Sequence, residues 1–186
     1  MPRQIGISTN TYKRFVIDAG AAYTGFVSFA SPGTLLGATR GGSTLTIEQE
    51  IREMEADGAR GPVVGSRRIT RVTARLVVNF LEHTVESFKR ALVGSDSATF
   101  NTDWDAISRS LQIENADFLS DVTLLGEVSG SANAMAIKLS NVIADGNFEL
   151  SLVDKEEGVL AVTFTAHFTA DDLDTEPWTL YWPKEA

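Results

Sequence analysis

Val72, Ala74, Leu76, Val78 and Phe80 alternate strictly with Arg71, Thr73, Arg75, Val77 and Asn79. Successive side chains of a β-strand point to opposite faces, so this run reads as a strand with one apolar face. It also resolves an ambiguity upstream. Within Ser43 to Glu55, Ile47, Ile51 and Met54 fall at helical spacing, and Glu, Gln and Arg favour helix. Leu45, Ile47 and Ile51 nevertheless share one strand face, opposite Thr44, Thr46, Glu48, Glu50 and Arg52, and Thr-Leu-Thr-Ile favours a strand. Folding the two runs about Arg60 and Gly61 sets Leu45 opposite Leu76, Ile47 opposite Ala74, Gln49 opposite Val72 and Ile51 opposite Thr70. The same register sets Glu50 against Arg71 and Thr46 against Arg75. Cross-strand Glu–Arg pairs contribute roughly 0.2–1 kcal/mol each. A slip of one residue would send the apolar side chains to opposite faces. A long hairpin over about 43–80 follows, with Ala56 to Gly65 as its loop.

The rest of the chain is read from the same periodicities. Tyr12 to Ile17 is expected to form a first strand and Asp18 to Ala22 a turn or loop. Phe26 to Phe29 is apolar but short, and Ser31-Pro-Gly33 breaks it. Glu82 to Leu92 reads as a helix with Val85, Phe88 and Leu92 as its stripe, Lys89 and Arg90 in its last turn and Gly94 just beyond. Strands are expected over Leu119 to Glu127 and Ala134 to Leu139, with Ser129-Gly-Ser131 as the turn after the first. Asn147 to Val153 and Val159 to Thr169 read as a hairpin joined by Asp154 to Gly158. Leu160, Val162, Phe164, Ala166 and Phe168 line one face of its second strand. Pro177 to Pro183 gives a last short strand. No linker composition and no internal repeat appears. The expected fold is mainly β: an antiparallel sandwich or barrel-like domain over 1–186, with one flanking helix at about 82–92. Residues 1–36 are a possible N-terminal arm.

Composition narrows the functions. The 186 residues suit one domain, and 43% apolar content is ordinary for a globular chain. With no cysteine there is neither a disulfide nor a thiolate metal site. The opening residues lack the apolar core of a leader peptide, and no segment approaches the roughly 18 apolar residues of a membrane span. A net charge of −9 disfavours tight duplex binding. That charge is lopsided. Residues 1–93 hold 12 basic and 8 acidic residues, and residues 94–186 hold 4 and 17. Either the halves pair within one fold, or one subunit's acidic half meets the basic half of the next.

Catalytic signals are weak. His83 and His167 are the only histidines, and no Gly-x-Ser-x-Gly elbow accompanies them. Gly37-Ala-Thr-Arg-Gly-Gly42 lacks the Lys-Ser/Thr of a phosphate loop and reads as a turn into a strand. Asp171-Asp-Leu-Asp174 lacks the Gly and distant Glu of an EF-hand and reads as a solvated loop. Arg67, Arg68, Arg71 and Arg75 form the only basic cluster; without interleaved aromatics, and with Glu partners opposite, they suit a strand ladder or a subunit interface. No catalytic residue, metal or cofactor is expected. Trp178, Tyr181 and Trp182 leave an alternative open: a β-sandwich binding module with a concave aromatic site for carbohydrate or a protein partner.

The unit from Gly37 to Leu92 resembles the siphophage major tail tube proteins. Its Gly pair, the polar alternating run, the Gly-Pro turn and the second run passing into a helix carry the likeness. So do Ile69-Thr-Arg-Val-Thr-Ala-Arg-Leu76, the late Glu157 to Phe168 and Pro177-Trp178; together these cover about half the chain. The resemblance implies a structural subunit, not an enzyme. Six subunits would close into a ring, and rings would stack into a tube through which genome DNA passes without tight binding. It further implies a virion protein made in the bacterial host cytoplasm, with tape-measure, tail terminator and baseplate proteins as partners and no membrane. Glu48 and Glu50 are candidate lumen residues, since lumen charges lie within about one Debye length (~8 Å) of passing phosphates. The hairpin register puts Arg71 and Arg75 on the same face, so Glu48, Glu50, Arg67, Arg71 and Arg75 define a lumen or inter-subunit face. The loop residues Asp57, Gly58, Ala59, Arg60, Gly61 and Pro62 are expected to contact another subunit.

Overall fold

The computed structural model describes residues 6–8, 10–55, 57–152 and 154–184. Met1 to Ile5 of the expected arm, Ala56 of the expected loop and Val153 of an expected strand lie outside them. The described residues form eleven strands: β1 Val16–Thr24, β2 Thr34–Leu35, β3 Thr39–Glu53, β4 Arg67–Phe80, β5 Ser95–Thr99, β6 Asp105–Arg109, β7 Leu119–Val128, β8 Met135–Ala144, β9 Leu150–Ser151, β10 Val159–Ala166 and β11 Trp178–Tyr181. Among the described residues there is one α-helix, α1 Val85–Ala91. The molecule is mainly antiparallel β.

Nine strands share one sheet in the order β2-β1-β7-β8-β10-β4-β3, with β11 on β8 and β9 on β10. β1 and β3 lie against each other, which curls the sheet toward a barrel. β5 and β6 form a separate two-stranded ribbon. Alternation explains the core. Leu160, Val162, Phe164 and Ala166 of β10 are buried, and so are Ala74, Leu76, Val78 and Phe80 of β4. The register sets Leu160 against Phe80, Val162 against Val78 and Phe164 against Leu76. Phe80 and Phe164 meet edge to face with centroids 6.3 Å apart. Each fully buried Leu or Phe contributes about 1.5–3 kcal/mol relative to exposure. Phe168 falls beyond the strand, which ends at Ala166.

The β3–β4 hairpin has the expected register from Ser43 to Glu50, including Leu45 with Leu76, Ile47 with Ala74 and Glu50 with Arg71. Beyond Glu50 the pairing shifts by one, so Ile51 faces Ile69 and not Thr70. Thr70 is the extra residue of a bulge, and its hydroxyl donates to the Glu50 carbonyl at 3.2 Å. The Gly37–Gly42 stretch runs into β3 through a second irregularity, where Gly41 and Gly42 take positive φ.

Several expectations need correction. Asp18 to Ala22 is not a loop; it lies inside β1, and Tyr12 sits in a short 3-10 turn. The pairing of β1 with β7 slips between Ile17 and Ala21. Gly20, at φ +71°, allows this: a Cβ there would sit 2.4 Å from the Leu125 carbonyl oxygen. β8 extends five residues past Leu139, while the strand expected over 147–153 is reduced to Leu150–Ser151. α1 is shorter than Glu82–Leu92, because Thr84 caps it: the Thr84 hydroxyl accepts from Ser87 N–H at 3.1 Å and Thr84 N–H donates to Ser87 Oγ at 2.7 Å. Ser87 and Ala91 are its buried positions, with Phe88 packed on the core; Val85 and Leu92 are only half-buried.

Candidate functional site: a projecting hairpin

The β3–β4 hairpin has two halves with different surroundings. From Ala74 to Phe80, alternate side chains of β4 are buried in the core. From Arg67 to Arg71, and from Thr46 to Glu53 on β3, every residue is exposed. The strands continue as an exposed paired ribbon, whose β4 edge from Ile69 to Thr73 lines a cleft with Phe168, Leu173, Asp174 and Glu176. β10 pairs with β4 only as far as Thr165 opposite Arg75. The outer edge of β4 from Arg67 to Thr73 therefore has no strand beside it among the described residues.

The ribbon has two unlike faces. On one, Glu48 accepts from Arg75 at 2.6 Å and Glu50 lies 3.7 Å from Arg71. Glu48, Glu50, Arg71 and Arg75 thus share a face and neutralise one another. The bulge at Thr70 takes Arg67 off that face, opposite Glu53, with which it pairs at 3.5 Å. All these partners are substantially exposed, so each pair adds at most about 1 kcal/mol. The other face carries Ile47, Ile51 and Ile69 in water, with Ile51 and Ile69 paired across the strands. Arg52 and Arg68, opposite each other, lie back on the face of Glu48 and Glu50 and leave it net basic.

Asp57 to Pro62 sit in the exposed loop at the ribbon's end, together with Val63 and fully exposed Val64. Met54 N–H donates to the Ser66 carbonyl at 2.8 Å, and Ser66 turns back on the Val63 carbonyl through both its N–H and hydroxyl. Gly58 and Gly65 take positive φ on either side. The loop therefore begins and ends in defined turns.

The remaining candidates are dispersed. His83 Nε2 lies 3.0 Å from the Gly158 carbonyl, and its ring stacks on Phe88. His167 Nδ1 lies within 3.2 Å of the Asn141 and Thr165 carbonyls, and Phe118 meets its ring edge-on. Neither imidazole is hydrogen-bonded to a hydroxyl or carboxylate among the described residues. Asp172 caps a turn by accepting from Thr175 N–H at 3.1 Å. Hydrogen bonds from Thr175, through its side chain first and then its backbone, hold the Asp172 carboxyl below the usual range. Trp178 packs against the core and donates to Glu176 at 2.6 Å. Tyr181 lies with Phe26 and Phe29, centroids 6.1 and 6.2 Å away. Odd separation along β11 puts Trp178 and Tyr181 on opposite faces, so they do not line one concave platform.

Two features escaped sequence reasoning. One is Asp121, a buried carboxylate near the start of β7. The other is the β5–β6 ribbon, which carries Phe100 and Trp104 at its exposed tip. The spacing Asn101-Thr-Asp-Trp104 is a legible turn signal for the second, since Asn side chains cap turns two and three residues on. No protein-family model matches this chain, and no curated protein matches it.

Proposed function

We propose that this chain is a structural subunit of a bacteriophage tail tube. Copies of it close into hexameric rings, and rings stack into a conduit for genome DNA. The observation that carries this reading is the projecting ribbon. A 15-residue and a 14-residue strand continue past the last pairing with β10, with an aliphatic face in water. An isolated two-stranded ribbon is marginal in water, and exposed strand edges invite pairing with another chain. A second subunit seated on Ile47, Ile51 and Ile69 would remove both problems. The likeness of Gly37 to Leu92 to the tail tube family supplies the kind of assembly.

The overall charge suits a conduit. Glu48 and Glu50 are paired with Arg75 and Arg71, the facing Arg52 and Arg68 leave that face net basic, and it is the overall charge of −9 that limits retention of phosphates. In this reading the tube is assembled in the host cytoplasm on a tape-measure protein and closed by terminator and baseplate proteins. Negative-stain microscopy of the purified full chain at rising concentration, with and without tail partners, tests it. Rings or tubes are expected. A protein that stays monomeric in every such condition overturns the reading.

A further inference from the structure

The β5–β6 ribbon is rooted at one end of the β7–β8 pair. Ser110 N–H donates to the Gly94 carbonyl at 2.7 Å, and Gly94 and Ser95 flank a cleft with Leu119 and Ala144, the first residue of β7 and the last of β8. From this root the ribbon carries Phe100 and Trp104 outward, 75% and 64% exposed. Its tip is fixed in shape. Asn101 Oδ1 accepts from the N–H groups of Asp103 and Trp104 at 2.9 and 3.1 Å, and Phe100 N–H donates to the Trp104 carbonyl at 2.9 Å. Asp103 and Asp105 flank Trp104, and no basic residue occurs from Gly94 to Ser108. The tip is thus a preorganised aromatic pair with acidic neighbours.

The opposite end of β7–β8 holds the complement. There a groove is floored by Val128, Trp182 and Pro183 and rimmed by Lys13 and Lys184, and no carboxylate among the described residues lines it. It is built, not incidental. Ser129 ties the N-terminal turn to the β7–β8 turn, its hydroxyl donating to the Tyr12 carbonyl at 2.6 Å and its N–H to that of Phe15 at 2.8 Å. Gly130, at φ +77°, lets Lys13 approach so closely that a Cβ would lie 2.8 Å from Lys13 Cβ. β7 has ten residues, so the tip's root and the groove stand about 30 Å apart at roughly 3.3 Å per residue.

We propose that the Phe100–Trp104 tip of one copy docks in the Lys13–Lys184 groove of a second copy. Charge and apolarity match, and the two sites lie at opposite ends of the same strand pair. The contact is therefore head to tail: each copy keeps a free tip and a free groove for the next. This deepens the self-assembly reading and rests on it in taking the partner to be another copy. It is a separate contact from the one assigned to the β3–β4 ribbon.

The cysteine-free chain allows a direct test. Full-length Thr102→Cys and Asn133→Cys variants, mixed under mild oxidation, are expected to form a disulfide-linked dimer. Its yield should exceed by about tenfold or more that of Thr102→Cys mixed with Asp154→Cys, a site remote from the groove. Adding Trp104→Ala to the Thr102→Cys chain should return the yield to the control level, as loss of an aromatic anchor does. Circular dichroism of each variant checks folding. Cross-linking no greater than the control overturns the docking. Tubes without the cross-link would sink this contact and leave the tube reading standing. The cross-link without rings or tubes in any condition would do the reverse.

Discussion

Asp121 is buried in β7, where its carboxylate accepts from Gly25 N–H at 2.8 Å, Phe26 N–H at 3.0 Å and the hydroxyls of Ser120 and Thr123 at 3.1 Å. Its own carbonyl accepts from the Thr24 hydroxyl at 2.8 Å. One side chain thereby anchors the end of β1 and the start of the loop that brings Phe26 and Phe29 to Tyr181. Replacing it strands the buried Thr123 hydroxyl and takes the acceptor from the part-buried bonds of Gly25 and Phe26 N–H. Asp121→Ala should cost about 3 kcal/mol, the scale of losing charge-assisted bonds and stranding their partners. Urea unfolding followed by tryptophan fluorescence measures it; a change below the error of that method would refute the anchoring role. Glu157 offers a milder case at the surface. A hydrogen bond from its own backbone N–H, and then the charge and hydrogen bond of Arg40 at 2.7 Å, hold its carboxyl below the ordinary value of 4.5. A depressed folded-state pKa favours the fold above the ordinary range, and that contribution is lost as pH falls through the depressed value. In Arg40→Ala, NMR titration should find the Glu157 pKa raised but still below ordinary, because the backbone bond remains. An unchanged pKa would mean that Arg40 does not act on it.

Helix α1 is only seven residues long, so its cap matters more than its propensity. Thr84 and Ser87 satisfy one another's backbone N–H groups reciprocally. Thr84→Ala should destabilise the protein by about 1 kcal/mol, read as a lower thermal midpoint; Thr84→Ser should restore most of it. This cap was not foreseen in the sequence, because Ser replaces the Glu or Gln usual at the third helical position, and the apolar stripe drew the boundary to Glu82. The hairpin is the opposite case. Its register was legible to Glu50 because two independent patterns, apolar facing apolar and Glu facing Arg, agreed on it. It failed at Thr70, where the bulge's mark in the sequence is a single apolar residue: Ile69 falls out of step with Val72 and Ala74, and the bulge brings it back onto their face opposite Ile51. β1 was missed for a related reason: Gly20 and its alanine neighbours read as a turn by local chemistry, whereas pairing with β7 decides their conformation. The second half of β8 was hidden by Asn141, whose φ of +50° and side-chain bonds to His167 and Thr169 belong to tertiary structure. The candidate lumen face was partly legible, for the same register that grouped Glu48 and Glu50 brought Arg71 and Arg75 beside them. The aromatic tip of β5–β6 was not, because the groove proposed to receive it is assembled from three stretches far apart in sequence, around Lys13, Ser131 and Pro183.

At the scale of the whole molecule, the proposed assembly draws on side chains other than those that hold the fold, which makes the two separable. The core of the subunit is Leu76, Val78, Leu139, Leu160 and Phe164, all fully buried. The ribbon's aliphatic face, by contrast, is half in water: Ile51 is 50% and Ile69 56% exposed, and the two lie opposite each other. Ile51→Glu combined with Ile69→Lys replaces an apolar cross-strand pair by an opposite-charge pair, which favours the ribbon by roughly 0.2–1 kcal/mol. Half-exposed isoleucines have little burial to lose within the subunit. The thermal midpoint of the double variant should therefore stay within a few degrees of the parent. A partner subunit seated on this face would instead have to desolvate two charges, which costs several kcal/mol per ion unless it provides counter-charges. Assembly should fail in sedimentation and negative-stain microscopy while the fold persists in circular dichroism. Tubes of normal appearance from the double variant would show that the ribbon's aliphatic face touches no neighbour. A variant that unfolds would show that the ribbon supports its own subunit, in which case its exposure serves the monomer and not the polymer.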